Sequence, residues 1–339
     1  MKHTVHLIAA AALCALSGAA SAQLSTAATW TGHVGLSVDG VGSNNAAVGD
    51  VQAVIPVGAT ILKAYLYSAG MPQGQSTSSP TSLADYNTSG ITLNGTSINF
   101  FDTLVGATSP RADVGRWFTG RADVTSLVQA WTTGAVTSNF SWAVQEGRLN
   151  NTIDGEVLAI VYSDPSKPLG SVALLNGGQN TGGETSNVNF GAPLTDPTAA
   201  SFVAELGLGI SFSCCNQKST VKINGSLLTS NAGNLDDGAS TTNGSLITVG
   251  GLGDTPSNGQ SYADDHELYD LKPFLSTGDT SFSIFTQNPT NDDNIFFASL
   301  YITADIKDVT PNVPEPETYA LMLAGLGVVA AVARRRKAR

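Results

Sequence analysis

Clustered carboxylates are the first residues in this chain that could do chemistry. They stand in Asn234-Leu235-Asp236-Asp237-Gly238, Asp264-Asp265-His266-Glu267 and Asn291-Asp292-Asp293-Asn294. Carboxylate and carbonyl oxygens on glycine- and asparagine-rich loops suit a hard cation such as calcium. Asp264, Asp265, Asp292 and Asp293 are the expected ligands of such an ion. None of the three segments has EF-hand or nonapeptide spacing, and each also reads as an ordinary solvated turn. Glu146, Glu156, Glu184, Glu205 and Glu267 offer carboxylates for acid–base work. Glycoside hydrolysis needs two of them held a few ångströms apart, and spacing along the chain pairs none. Beyond the N-terminal segment only His33 and His266 remain as imidazoles, and no Gly-x-Ser-x-Gly elbow occurs. The expectation is a non-enzymatic protein.

Aromatic rings grip sugars through their apolar faces and polar rims. Trp30, Trp117, Trp131 and Trp142 all lie in the first half. Trp142 stands in an apolar alternation and reads as core. Trp117, between Arg116 and Phe118, reads as a loop residue and is the expected glycan platform. Cys214 and Cys215 are adjacent. They form either a vicinal disulfide, which cannot staple distant parts of a fold, or a pair of thiols. Two thiolates fall short of the four ligands that structural zinc usually takes.

The elements that must position these groups read as strands. Leu62, Ala64 and Leu66 alternate with Lys63, Tyr65 and Tyr67, and Phe140 to Val144 repeats the alternation. Val157 to Tyr162 is almost wholly apolar and reads as a central strand buried on both faces. The second half repeats the series. Phe202 to Ile210 answers Ile61 to Tyr67, and Asn224-Gly225 answers the hairpin signal Asn94-Gly95. Asp270 to Leu275 answers Asp123 to Val128, Phe282-Ser283-Ile284 answers Phe140-Ser141-Trp142, and Phe296 to Ile302 answers Val157 to Tyr162. The Asp123-Val124-Thr125-Ser126-Leu127-Val128 element resembles one found before a late strand in jelly-roll domains of the galactose-binding-like type. The expected fold is all-β: two antiparallel, jelly-roll-like β-sandwiches related by internal duplication, residues 23–165 and 166–310, with an N-terminal signal helix and a C-terminal transmembrane helix.

Charge narrows the partners. Of 16 basic and 27 acidic residues, Lys2, Arg334, Arg335, Arg336, Lys337 and Arg339 lie in the terminal segments, so the middle is strongly acidic. Such a surface repels nucleic acid and anionic polymers unless divalent cations intervene. Charged residues are only 13% of the chain. With abundant Gly, Ser, Thr and Asn, that composition reads as short strands and turns of a secreted β protein rather than as disorder.

Both ends read as addresses. Residues 1–22 carry Lys2, an apolar stretch from Leu7 to Leu16, and Ala20-Ser21-Ala22 before Gln23. That order is a secretory signal peptide, with signal peptidase cutting after Ala22. A lipoprotein signal is excluded because Leu13, not a small residue, precedes Cys14. Within residues 311–339, Pro314-Glu315-Pro316 precedes an apolar run at 319–333 and the cluster Arg334-Arg335-Arg336-Lys337. Two prolines hold the tripeptide extended. The run is slightly short of the roughly 17–25 residues that span a bilayer, and its basic tip would stay cytoplasmic.

This tail closely resembles the PEP-CTERM sorting signal. The resemblance implies an exosortase that recognises the Pro-Glu-Pro motif and removes the helix, after transient anchoring in the inner membrane of a Gram-negative bacterium that makes exopolysaccharide. It implies delivery to the cell surface or extracellular matrix. Exopolysaccharide is the expected partner there, with calcium as a candidate bridge.

Overall fold

The computed structural model describes residues 24–42, 48–70, 87, 90–108, 116–145, 153–180, 182–211, 218–233, 247–254, 256, 267–289 and 294–311. The first half contains β1 (Ser25–Gly32), β2 (Val34–Val41), β3 (Val48–Val54), β4 (Thr60–Gly70), β5 (Thr92–Leu93), β6 (Thr96–Ser97), β7 (Asp102–Thr108) and β8 (Arg116–Asp123), followed by α1 (Thr125–Thr132), β9 (Asn139–Gln145) and β10 (Ile153–Ser163). The second contains β11 (Gly170–Asn176), β12 (Glu184–Phe190), β13 (Ala204–Ser211), β14 (Ser219–Ile223), β15 (Ser226–Ala232), β16 (Ile247–Val249) and β17 (Leu268–Asp270). A 3-10 turn (Lys272–Phe274), β18 (Ser281–Gln287), β19 (Asn294–Ile302) and β20 (Ile306–Pro311) complete it.

Four open antiparallel sheets result. Sheet I has the order β3-β9-β5-β6, and sheet II the order β2-β10-β4-β8-β7. Sheet III runs β1-β11-β19-β13-β16, with β17 also on β13; sheet IV runs β15-β14-β18-β12-β20. Three apolar clusters stack them in the order I, II, III, IV. Val51, Trp142 and Val144 of sheet I meet Leu66, Leu158 and Ile160 of sheet II. The opposite face of sheet II, with Tyr67, Val157 and Val161, packs on Val172, Leu174 and Phe297 of sheet III. Leu206, Leu208 and Leu300 of sheet III then meet Val188, Val221 and Phe282 of sheet IV. Side chains of a strand alternate between faces, so only a strand with both faces covered can be apolar throughout. Val157 to Val161 on β10 are fully buried for that reason.

The halves share one topology. In β2-β10-β4-β8 and β11-β19-β13-β17, strands of equal rank occupy equal places, and so do β3-β9-β5-β6 and β12-β18-β14-β15; the fifth strands differ, since β7 pairs with β8 whereas β16 pairs directly with β13. Local bonds repeat as well. Val124 N–H donates to Ala64 O at 2.9 Å, and Leu271 N–H to Ala204 O at 2.8 Å. Asn94 and Asn224 take φ of 49° and 51° in their two-residue turns, a left-handed conformation that asparagine tolerates.

The expected fold is corrected in two respects. The chain does not divide into two successive, separate sandwiches: β1 lies in sheet III, hydrogen-bonded to β11 of the second half, and sheets II and III form a common core. Each half alone would leave one whole apolar sheet face in water. The helices are corrected too. Among the described residues no helix is long and apolar enough to cross a membrane, because the apolar runs are spent on strands and α1 has only eight residues. The signal helix and transmembrane helix are therefore not part of the observed fold. Residues 1–22 and 319–333, on which they were expected, lie outside the described residues.

Sheets II and III approach most closely where the backbone after β16 crosses β2. Leu252 N–H donates to Val38 O at 2.9 Å. A Cβ on Gly251 would lie 2.2 Å from Val38 O, so no side chain fits there. Elsewhere the interface is aromatic: the rings of Tyr67 and Phe297 meet at 4.8 Å. Phe297 is fully buried. Phe297→Ala should cost about 3–5 kcal/mol, read by calorimetry as one transition moved to lower temperature. Two resolved transitions would instead show halves that unfold separately. Gly251→Ala should cost about 1–3 kcal/mol through overpacking, measured by urea titration.

Candidate functional site

A groove of about 450 Å³ opens between the two central sheets. One wall is β2, from Gly35 to Val38; the other is the concurrent ends of β13, β17 and β19, with Glu205, Leu268, Ser299 and Tyr301. Lys167 and Pro168, in the connection from β10 to β11, and Gly250 to Leu252 close the ends. A pocket of this size accepts one or two sugar-sized units.

Pairing between strands sets its polar floor. Tyr301 on β19 stands directly opposite Glu205 on β13, and Glu205 stands opposite Asp270 on β17. Burial raises the Glu205 carboxyl, and the negative charge of Asp270 adds to the rise, while Lys167 and Lys272 oppose it. Burial likewise raises the Tyr301 phenol, with the charge of Glu205 second. Tyr162 is raised by burial, then by Tyr301 and Asp164. Its ring lies where a Cβ on Gly35 would be, at 2.5 Å, so a glycine is needed in this wall. At the rim, His33 Nδ1 lies 2.6 Å from Lys167 O.

These groups supply hydrogen bonds of both polarities: acceptors on Glu205, a phenol on Tyr301, a hydroxyl on Ser299 and an ammonium on Lys167. Asp270 spends Oδ1 on the N–H of Lys272 at 2.9 Å and does not line the groove. The carboxylates at 205 and 270 therefore do not face one substrate from both sides.

Most residues singled out in the sequence are elsewhere. Asp264, Asp265, Asp292 and Asp293, the candidate calcium ligands, lie outside the described residues, as do Cys214 and Cys215. Among the described residues no three His, Cys, Asp or Glu side chains cluster to hold a metal. Trp117 belongs to strand β8 rather than to a loop. Ala20, Ala22, Pro314, Glu315 and Pro316 also lie outside the described residues. Glu205 was among the five carboxylates read from the sequence; Tyr301, Ser299 and Lys167 were not. The available signal was a glutamate inside the otherwise apolar run Phe202 to Ile210.

The tail decides what the groove is carried by. Residues 312–337 match the PEP-CTERM protein-sorting motif. The chain carries an exosortase sorting signal. It is an exported, exosortase-sorted surface protein. The match says nothing of residues 24–311. The expected membrane-anchored precursor and transient inner-membrane contact are corrected to this extent: among the described residues no helix is long and apolar enough to cross a membrane, and residues 319–333, on which that contact was expected, lie outside them. No curated protein matches the chain. One solved structure, the PBCV-1 VP54 crystal structure fitted into a cryo-EM reconstruction of the virophage Sputnik, aligns with 87% of this chain and 95% of its own. At 7% identity and a TM-score of 0.20 the likeness carries no argument.

A second carboxylate senses pH outside the groove. Asp39 on β2 accepts the N–H of Gln52 on β3 through Oδ2. Burial pushes its carboxyl up to about 7, against the backbone N–H groups of Gln52 and Gly40, and the charge of Asp254 adds a smaller rise. A carboxyl raised on folding binds more protons in the folded chain, so its contribution is full at low pH and lost as pH rises. Asp39 should therefore lower stability progressively between about pH 4 and about pH 7. Asp39→Asn keeps an acceptor for Gln52 and should flatten that slope in melts from pH 4 to 8, gaining most over wild type above pH 7.

Proposed function

We propose that the sorted chain is a non-enzymatic saccharide-holding module of the bacterial surface or matrix. The observation that carries this reading is that Tyr301 and Glu205 stand side by side in a groove of about 450 Å³ that Lys167 also lines. Hydroxyl-rich ligands donate and accept at once, and a floor with both polarities satisfies them without a net charge on the ligand. The acidic character of the chain favours a neutral or amino sugar over a uronic acid. A ligand attached to exopolysaccharide would be held by many copies at once, so weak single-site affinity suffices.

Hydrolysis is the competing class, and it would require a second carboxylate across the groove from Glu205. Asp270, the cross-strand neighbour, accepts the N–H of Lys272 and does not line the groove. Binding is thus favoured over turnover.

Calorimetric titration of the processed chain with neutral and amino-sugar oligosaccharides tests the reading. Tyr301→Phe should weaken binding by roughly 3–10-fold, the loss of one hydrogen bond, with an unchanged melting temperature. Equal affinity in Tyr301→Phe, or no binding by the wild type, would overturn it. Titration in EDTA separates direct contact from bridging by calcium, and release of reducing ends would mark an enzyme.

A further inference from the structure

The groove is a step between layers: β2 is the edge strand of sheet II, and the face of sheet III lies beyond it. Gly35, Leu36, Ser37 and Val38 line it in succession. Side chains of a strand alternate between faces, and Ser37 turns its hydroxyl to β3, where Oγ accepts the N–H of Val54 at 3.0 Å. These four residues therefore meet the groove along the edge of the strand. The ladder fixes which backbone groups that edge presents. His33 O accepts the N–H of Asp164 at 2.9 Å, continuing the pairing of β2 with β10. Val38 O accepts the N–H of Leu252 at 2.9 Å, on the side away from β10. Successive residues of an antiparallel strand alternate in this respect. Leu36, two residues from Val38, therefore turns both its N–H and its C=O away from β10, toward the groove. Among the described residues β2 pairs with no other strand, and nothing bonds to the main chain of Leu36.

An open strand edge invites a partner that donates and accepts side by side. An added peptide strand would need several such pairs in a row, and the groove offers one. Of the two outward-facing residues that line it, Val38 has given its carbonyl to Leu252, while Lys167 and Pro168 close the far end. We propose that the main chain of Leu36 selects the sugar, by reading two adjacent hydroxyls on a neutral ring. One hydroxyl donates to Leu36 O and its neighbour accepts the Leu36 N–H. The inference rests on the saccharide reading of the groove and deepens it. Neighbouring carbons of a pyranose ring hold their oxygens about one hydrogen-bond length apart, and the N–H and C=O of one extended residue are similarly close and point the same way. Each hydroxyl can take either role, so the pair matches Leu36 in both polarities. Tyr301 and Glu205, side by side on the floor, remain for the other hydroxyls, and Leu252 and Leu268 offer apolar surface to the ring. A sugar whose adjacent oxygens are consumed by linkage or substitution cannot make this contact.

Two glucose hexamers test this by calorimetric titration of the exported chain. A β-1,4-linked hexamer carries free adjacent hydroxyls on every ring, whereas β-1,3 linkage consumes the middle oxygen of each inner ring. The wild type should bind the first roughly 10-fold more tightly, the worth of two hydrogen bonds. Leu36→Pro removes the N–H without breaking the ladder, since that N–H faces away from β10, and should bring the ratio near one. Leu36→Ala loses the side chain but keeps the N–H, and should keep the preference. Hydrogen exchange at the Leu36 amide of the wild type gives a reading independent of any variant's folding: it should slow with the 1,4-linked hexamer. A preference that survives Leu36→Pro, or exchange at Leu36 unchanged at saturation, would overturn the proposal. Slowing by an extended valine–threonine peptide and by neither hexamer would overturn it in favour of strand addition. A wild type that binds both hexamers equally would leave the saccharide reading standing and remove this one; binding of neither would remove both.

Discussion

Sheets II and III each hide both faces, and that mutual burial governs the rest of the molecule. Neither sheet keeps a wet side on which to place polar groups. Those that remain must find partners inside, because a buried polar group left unmatched costs several kcal/mol. Arg121 shows the solution across the interface. Its guanidinium lies over the rings of Tyr65 and Phe101, 5.2 and 5.0 Å from their centres, and donates to Asn176 Oδ1 on the neighbouring sheet at 3.1 Å. Glu267 shows it at the edge: its two oxygens take the N–H of Gly233 at 3.0 Å and the hydroxyl of Tyr269 at 2.5 Å. Burial and that carboxylate push the Tyr269 phenol well above its ordinary range.

The groove is a by-product of the same contact. Layers II and III touch through backbone at Gly251 and Val38, and beside that touch the two sheets supply facing walls. Duplication explains the asymmetry of those walls. The first half offers β2 edge-on, while the second offers the pleated face of β13, β17 and β19 with Tyr301 and Glu205 side by side. Equivalent topologies have been placed face to face, and only one contributes the charged floor.

Some of this was legible in the residues. Asn94-Gly95 and Asn224-Gly225 announce their turns because few residues tolerate the left-handed backbone there. The apolar run in β10 announces a strand covered on both sides, but not what covers it. Stacking of one half on the other is a long-range choice that alternation within a strand does not encode. The groove was opaque for a related reason: Gly35, Lys167, Glu205, Gly251 and Tyr301 meet only after five separate segments have been placed. Trp117, between Arg116 and Phe118, read as a loop residue, whereas the backbone of all three belongs to β8. Glu184 was visible only as one carboxylate among five. Its neighbours Thr185, Ser186 and Asn187 are polar, so nothing nearby suggested that it would be half-buried against aliphatic side chains.

The first strand has a consequence for when the chain can fold. β1 leaves the exporting channel ahead of everything else, yet its ladder partner β11 follows about 140 residues later, as the Thr31–Ser171 hydroxyl contact shows. Thr26 waits longer still, since its hydroxyl donates to the carbonyl of Val309, 283 residues away. Contacts of such separation slow folding because the intervening loop must close before they reward it. Sheet III thus acquires its outermost strand only when nearly the whole ectodomain has crossed. Vectorial secretion and native assembly are therefore largely decoupled in time, and the earliest segment to emerge is among the last to find its place.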